Sequence, residues 1–242
     1  ALRETDAPRI RTVLGLARAV GVAQEIVQPA GASLDEAMRS LTALFAGGLD
    51  PRRIEAELPR IGRAAQSLER ALHRIRACAD PRYHADVIAV LDQARAAREE
   101  ELRQAGIGVE VRATGFDDGP VRGIIPAADL LFILDNLIGN AARAMAGRDG
   151  SSQRLRIDLR AGQGLVDACV ADTGPGVPLE EREAIFAGKS ARGDGGIGLF
   201  RGREAARAWG GDLVLLDGAP GEGAIFRLTM NRVLAAKDDD AG

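Results

Sequence analysis

Leu130-Leu131-Phe132-Ile133-Leu134-Asp135-Asn136-Leu137-Ile138-Gly139-Asn140-Ala141-Ala142-Arg143-Ala144-Met145 is the stretch from which the fold can be read. Leu130, Leu134, Leu137, Ala141 and Met145 recur at helical spacing, predicting a helix over 127–146 with one buried stripe. Asn136, Asn140 and Arg143 fall on the opposite face, at spacings of four and three. Two amides and a guanidinium suit a phosphate–metal site. Amide oxygens can ligate Mg2+ without adding charge beside a triphosphate, and a guanidinium can pair with phosphate. A merely solvated helix face would carry the same residues, so this helix does not decide function alone.

Two downstream stretches add chemistry. Val170-Ala171-Asp172-Thr173-Gly174-Pro175-Gly176-Val177-Pro178 reads as a strand ending in a carboxylate, then a tight turn. A strand-end carboxylate can accept a hydrogen bond from an exocyclic amine such as that of adenine. Gly174 and Gly176 let the backbone approach a flat ring. Gly193-Asp194-Gly195-Gly196-Ile197-Gly198-Leu199-Phe200 opens a helix, where backbone N–H groups can meet phosphate. It is neither a Walker loop nor a dinucleotide fingerprint.

Short strands surround these elements. Residues 107–111 and 121–125 read as strands, 155–159 and 165–170 as a β-hairpin about Gly162-Gln163-Gly164, and 213–216 and 224–230 as closing strands. With helices over 85–105, 127–146 and from the Gly-rich stretch to about Trp209, this predicts an α/β sandwich with helices on one face of a mixed sheet.

The N-terminal part is different. Val13, Leu16, Val20, Ala23, Val27, Ala30, Leu34, Ala37, Leu41 and Leu44 form one apolar seam, and Ile54, Leu58, Ile61, Ala65, Leu68, Leu72, Ile75 and Ala79 a second, strictly heptad one. Between them Gly47 and Gly48 end a helix, Asp50 caps the next and Pro51 takes its first position. Pro59 predicts a late start or a kink. An antiparallel helical hairpin results, and two copies would complete a dimeric four-helix bundle. The expected domains are 1–80 (hairpin), 81–84 (linker), 85–236 (α/β domain) and 237–242 (disordered tail).

Bulk properties exclude several classes. Net charge is −3 with Lys and Arg dispersed, which is no nucleic-acid footprint. No long apolar run exists, so no membrane contact is expected of this segment. Cys78 and Cys169 read as reduced core residues of a cytoplasmic protein.

Asn136 to Ala141, Asp172 to Pro178 and Gly195 to Leu199, in that order and spacing, resemble the N, G1 and G2 boxes of the GHKL ATPases; Ile185-Phe186 falls at the F box. Gly210-Gly211-Asp212 to Arg227 resembles the terminal strands of the histidine kinase branch, and the resemblance covers about residues 85 to 232. It implies that Asn136 and Asn140 hold Mg2+, and that Arg143 and the backbone of Gly195, Gly196, Ile197, Gly198 and Leu199 meet the phosphates of ATP. It also implies that Asp172 reads adenine, that Gly174 and Gly176 shape its pocket, and that Lys189 in the lid reaches a phosphate. Gyrase, MutL and the heat-shock chaperone carry an acidic base where Asn136 stands here. An amide cannot activate water, which argues for phosphotransfer over hydrolysis.

The hairpin resembles the same family. Gly21-Val22-Ala23-Gln24-Glu25-Ile26-Val27-Gln28-Pro29 is similar to the phosphoacceptor box of sensor histidine kinases, with Gln24 in place of the histidine. A carboxamide nitrogen is not a phosphoryl acceptor. In the family pattern Glu25 orients the imidazole, and Gln28 can position water against a partner's phospho-aspartate. The implied protein is the cytoplasmic core of a two-component sensor kinase, homodimeric and partnered by a response regulator receiver domain, and the resemblance is compatible with a membrane-anchored sensor. Gln24 is either a substitution for an original histidine or the mark of a naturally degenerate pseudokinase, a nucleotide-binding scaffold or phosphatase. His73, about as far from the hairpin turn as Gln24, is a possible substitute acceptor or a plain surface residue; an anti-sigma-type serine kinase is a third reading.

Overall fold

A computed structural model describes residues 23–46, 50–117, 119–147, 153–162, 164–187, 196–216 and 223–233, with backbone alone at 23–27, 53 and 196. The side chains of Gln24 and Glu25, all of Lys189 and Gly195, the N-terminal seam residues and the 237–242 tail lie outside the described residues. The described chain forms two compact units that part between Asp80 and Pro81.

In the first unit α1 (Ala23–Ala46) and α2 (Pro51–Ala79) run antiparallel. The Asp50 carboxylate accepts from the Arg52 N–H at 3.1 Å and Pro51 opens α2, as the sequence predicts. The helix does not start late: it runs through Pro59, which leaves the Glu55 carbonyl without its helical donor. Register is fixed by Ser33 Oγ donating to Ser67 Oγ at 2.9 Å and by Ala30 packing on Ala71. The heptad of α2 splits into two rows. Ile54, Ile61, Leu68 and Ile75 are half-buried in the hairpin, whereas Leu58, Ala65, Leu72 and Ala79 are exposed.

The second unit begins earlier than the expected linker allows. Pro81–Tyr83 form a 3-10 turn, and His84 opens β1 (His84–Asp86), which pairs antiparallel with β3 (Arg122–Ile124). Residues 81–84 are therefore part of this unit rather than a free tether. Asp86 caps α3 (Val87–Gln104) through the Ala89 N–H at 3.0 Å. The main sheet has the order β2 (Gly108–Thr114), β4 (Arg154–Ala161), β5 (Leu165–Asp172), β7 (Ile225–Asn231), β6 (Asp212–Leu216). β2 runs parallel to β4 and every other pairing is antiparallel.

Alternation along these strands explains the layering. Leu155, Ile157, Leu159, Val166, Ala168, Val170, Phe226 and Leu228 point inward and are buried, while Arg154, Arg156, Arg160 and Arg227 point to water. The buried face meets α4 (Ala127–Met145), whose Leu130, Ile133, Leu134, Leu137, Ile138 and Met145 are almost wholly enclosed. α5 (Gly196–Ala208) packs against α4, and Trp209 just beyond it donates its indole N–H to Asp129 at 2.8 Å. Cys78 and Cys169 are free thiols, half-buried rather than core. Among the described residues no helix is long and apolar enough to cross a membrane.

Candidate nucleotide site

Four local geometries converge at one end of the second unit. On α4, Asn136 donates Nδ2–H to the Phe132 carbonyl at 2.8 Å, which fixes its amide and turns Oδ1 toward α5. There Gly198 lies so close that a Cβ on it would collide with Asn136 Oδ1. Only a glycine lets the start of α5 approach the asparagine this way. One turn along α4, Asn140 Oδ1 accepts from Arg143 Nη2, so these two side chains hold each other.

Asp172 ends β5 and is 8% exposed. Its Oδ1 accepts from the backbone N–H of Gly174 at 2.8 Å and of Ala224 at 3.3 Å. No hydrogen bond engages Oδ2 among the described residues, so one carboxylate oxygen is left to recognise a donor. Burial pushes the Asp172 carboxyl up, and the two backbone N–H groups only partly offset that. Gly174 sits against Asp172 and Ala144, and Gly176 follows in the turn at φ 75°. Thr173 Oγ1 accepts from the Arg154 N–H at 3.0 Å, tying the turn to β4.

The structure thus brings Asn136 to Gly198, and places Asp172 with Gly174 at the adjacent strand end. Ile197 is exposed and Leu199 buried, so the first turn of α5 is anchored by Leu199. Gln28 is exposed on α1 of the other unit. The donors and acceptors present fit an adenine nucleotide in kind: the Asp172 carboxylate keeps one oxygen that no described residue engages, and the Gly198 backbone stands beside the oriented Asn136 amide oxygen. As the side chains stand, Asn140 Oδ1 would have to exchange Arg143 for a cation.

Three features were not evident from the sequence. Gly223 (φ 93°) has its Cα so near the Asp172 carbonyl that any Cβ would strike it, and Ala224 beside it supplies the second N–H to the carboxylate. The Gly-rich run before β7 was the signal, but it reads only as a turn. Arg98 of α3 grips Asp135 with Nε and Nη2 at 2.6 and 2.7 Å and reaches Glu101 at 2.8 Å. Its guanidinium lies on Gly139, where a Cβ would press against Cζ at 3.2 Å. Hydrogen bonds from Arg98 hold the Asp135 carboxyl below its usual range, and Asp135 then Glu101 raise the guanidinium in turn. Finally, Phe186 at the expected F box meets Phe226 edge-on at 6.4 Å, with the Arg203 guanidinium 4.7 Å over its ring. A separate groove of about 420 Å³ beside α3 and β2 includes none of these residues.

Residues 126–233 match the histidine kinase-, DNA gyrase B- and HSP90-like ATPase family. The two-component sensor PhoQ of Pseudomonas aeruginosa is 38% identical over 104 residues, which is 41% of this chain and 21% of that protein. The adaptive-response sensory kinase SasA of Crocosphaera subtropica is 36% identical over 104 residues, 40% of this chain and 26% of that one. The chain therefore matches only a minor part of the length of these relatives. Among solved structures, the catalytic domain of histidine kinase ThkA superposes with a TM-score of 0.53 at 21% identity, covering 61% of this chain and 95% of that one. Full-length ShkA in complex with AMPPNP gives 0.54 at 23%, covering 90% of this chain and 46% of its own. At those identities the structures show a shared fold. Residues 126–233 of this chain are thus similar to the histidine kinase-, DNA gyrase B- and HSP90-like ATPases, and the relatives in sequence named above are a two-component sensor and a sensory kinase.

Proposed function

We propose that this chain is the Mg-ATP-binding and dimerising core of a sensor histidine kinase. The observation that carries it is the Asp172 carboxylate, buried with one oxygen tied to two backbone N–H groups and the other unengaged. That oxygen accepts the adenine amine, and Gly174 and Gly176 make room for the ring. Asn136 and Asn140 present amide oxygens to Mg2+, while Arg143, Lys189 and the backbone from Gly195 to Leu199 hold the phosphates. The bound cation neutralises phosphate charge. With an amide at position 136, the site lacks a carboxylate there to activate water, which favours phosphoryl transfer to a protein.

The hairpin supports homodimerisation. Leu58 is 61%, Met38 56% and Phe45 84% exposed, and with Leu34, Leu41 and Leu72 they form apolar rows on α1 and α2. A second hairpin covering these rows completes a four-helix bundle. The downstream acceptor is an aspartate of a response regulator receiver domain. Gln24 cannot take a phosphoryl group, so the box on α1 does not autophosphorylate, and this favours a non-transferring scaffold or phosphatase as the second reading.

Calorimetric titration with AMPPNP, with and without Mg2+, tests the core of this reading. The intact chain should bind, more tightly with Mg2+. The doubly substituted Asn136→Ala, Asn140→Ala chain should lose the Mg2+ enhancement. Absence of binding by the intact chain contradicts the assignment.

A further inference from the structure

β2 stands last in the order of the five-stranded sheet, so among the described residues its far edge has no partner strand. Gly108 donates its N–H to the Gln153 carbonyl beside β4 at 3.0 Å. Strand alternation then gives the backbone groups of Gly108, Glu110, Arg112 and Thr114 to β4, and turns those of Val109, Val111 and Ala113 to the free edge. Among the described residues, no turn or bridge hydrogen bond engages these three. We propose that this edge pairs with β2 of a second copy, antiparallel about a two-fold axis at Val111, joining two sheets into one.

Charge selects the occupant. With Val111 on the axis, Glu110 stands opposite Arg112 of the second copy, and Arg112 opposite its Glu110. Val109 then meets Ala113 of the second copy, so the outward backbone groups fall in the pairs that exchange both hydrogen bonds. The charged residues fall in the other pairs, with Cα atoms about 4.5 Å apart, where opposite charges attract and like charges repel. Glu110 and Arg112 are more than half exposed and lie 2.7 Å from each other. Pairing therefore extends one exposed bridge into a cluster of four charges of alternating sign.

The apolar side of β2 agrees. Val109, Val111 and Ala113 are in register with Leu155, Ile157 and Leu159, which are buried on the helix-covered face of the sheet. Val111 and Ala113 are nonetheless exposed. The groove of about 420 Å³ between α3 and β2 has Leu102, Ile107 and Val109 in its lining. A strand added at this edge brings its own apolar row to that side and covers Val111. Nothing in β2 opposes pairing: it has no proline and no inward charge, and its register with β4 is unbroken from Gly108 to Thr114. The contact is separate from the hairpin rows and does not depend on nucleotide binding.

The test is sedimentation, over a concentration series, of the full chain carrying Leu58→Glu and Leu72→Glu, which silence the exposed rows of the hairpin. This chain should still form a dimer. Adding Val111→Pro should weaken the dimer by about tenfold or more, because an outward N–H is lost while β2 keeps its bonds to β4. The Trp209 fluorescence transition in denaturant should then be unmoved. Glu110→Arg and Arg112→Glu, each added alone, should weaken self-association by about fivefold or more, since each sets like charges opposite one another. Mixed one to one, these two chains should recover the original affinity, because the arginines of one face the carboxylates of the other. A hairpin-silenced chain that stays monomeric overturns the proposal and leaves the edge to a strand of another protein. So does a Val111→Pro chain that keeps its Trp209 transition and dimerises as before, or a mixture that associates no better than its components. If Val111→Pro shifts the Trp209 transition, the mixture alone decides.

Discussion

The two units solve the problem of apolar surface in opposite ways. In the second unit the stripe of α4 is sealed between the sheet and the neighbouring helices; Leu130, Ile133 and Leu134 have no measurable exposure. In the hairpin every other seam residue of α2 is left in water. The first pattern belongs to a unit that completes its own core, and the second leaves apolar rows that the proposed second copy would cover. A heptad read from sequence does not separate these cases. Which of the two rows meets the chain's own helix and which stays exposed emerges only from the register set by Ser33 and Ser67.

The sharpest way to break the self-sufficient unit is Gly223→Val. The new side chain must enter the space of the Asp172 carbonyl at a φ of 93°. We expect a loss of roughly 3–5 kcal/mol. Trp209 is the single tryptophan and lies in this unit, so denaturant unfolding followed by its fluorescence reads the effect. An unchanged midpoint would mean that the contact is not as tight as it stands. The complementary break is Leu58→Glu with Leu72→Glu. Burying new carboxylates should weaken self-association by roughly 3 kcal/mol, seen by sedimentation, with the Trp209 transition unmoved. If that transition moves as well, the units are not independent.

A smaller change sharpens the contrast. Asp135→Ala removes the bidentate partner of Arg98 and should cost the second unit about 1–2 kcal/mol, since both groups are largely shielded and Glu101 remains. The sign with pH follows from the depressed carboxyl. Its folded value lies below the unfolded one, so the contribution is complete above the ordinary carboxylate range and is lost as pH falls through the folded value. The difference between Asp135→Ala and the unaltered chain should shrink in acid. A difference independent of pH would assign the loss to packing.

Local signals were legible and distant pairings were not. The apolar period of 127–146, the Asp50–Pro51 helix start and the alternation of β4 and β5 are properties of neighbouring residues, and the structure keeps them within a few residues of the expected bounds. Asp172 was legible because its carboxylate ends a strand before a Gly-Pro-Gly turn. What sets its chemistry was hidden: Ala224 reaches it across 52 residues, as Arg98 reaches Asp135 across 37 and Trp209 reaches Asp129 across 80. Of β1, His84 falls in the stretch expected as linker and residues 85–86 in the one expected as helix, because three residues carry too little pattern, and only pairing with β3 makes them a strand.

The central claim is that the free oxygen of Asp172 reads the amine of adenine, and ATP against ITP tests it directly. Inosine replaces that amine with a carbonyl oxygen, which would face the carboxylate as acceptor against acceptor. In calorimetric titration with Mg2+ the unaltered chain should prefer ATP to ITP by about tenfold or more, the scale of one lost hydrogen bond to a charged group. Asp172→Asn, whose amide can donate to inosine, should erase or invert that preference. Equal binding of ATP and ITP by the unaltered chain would contradict the account.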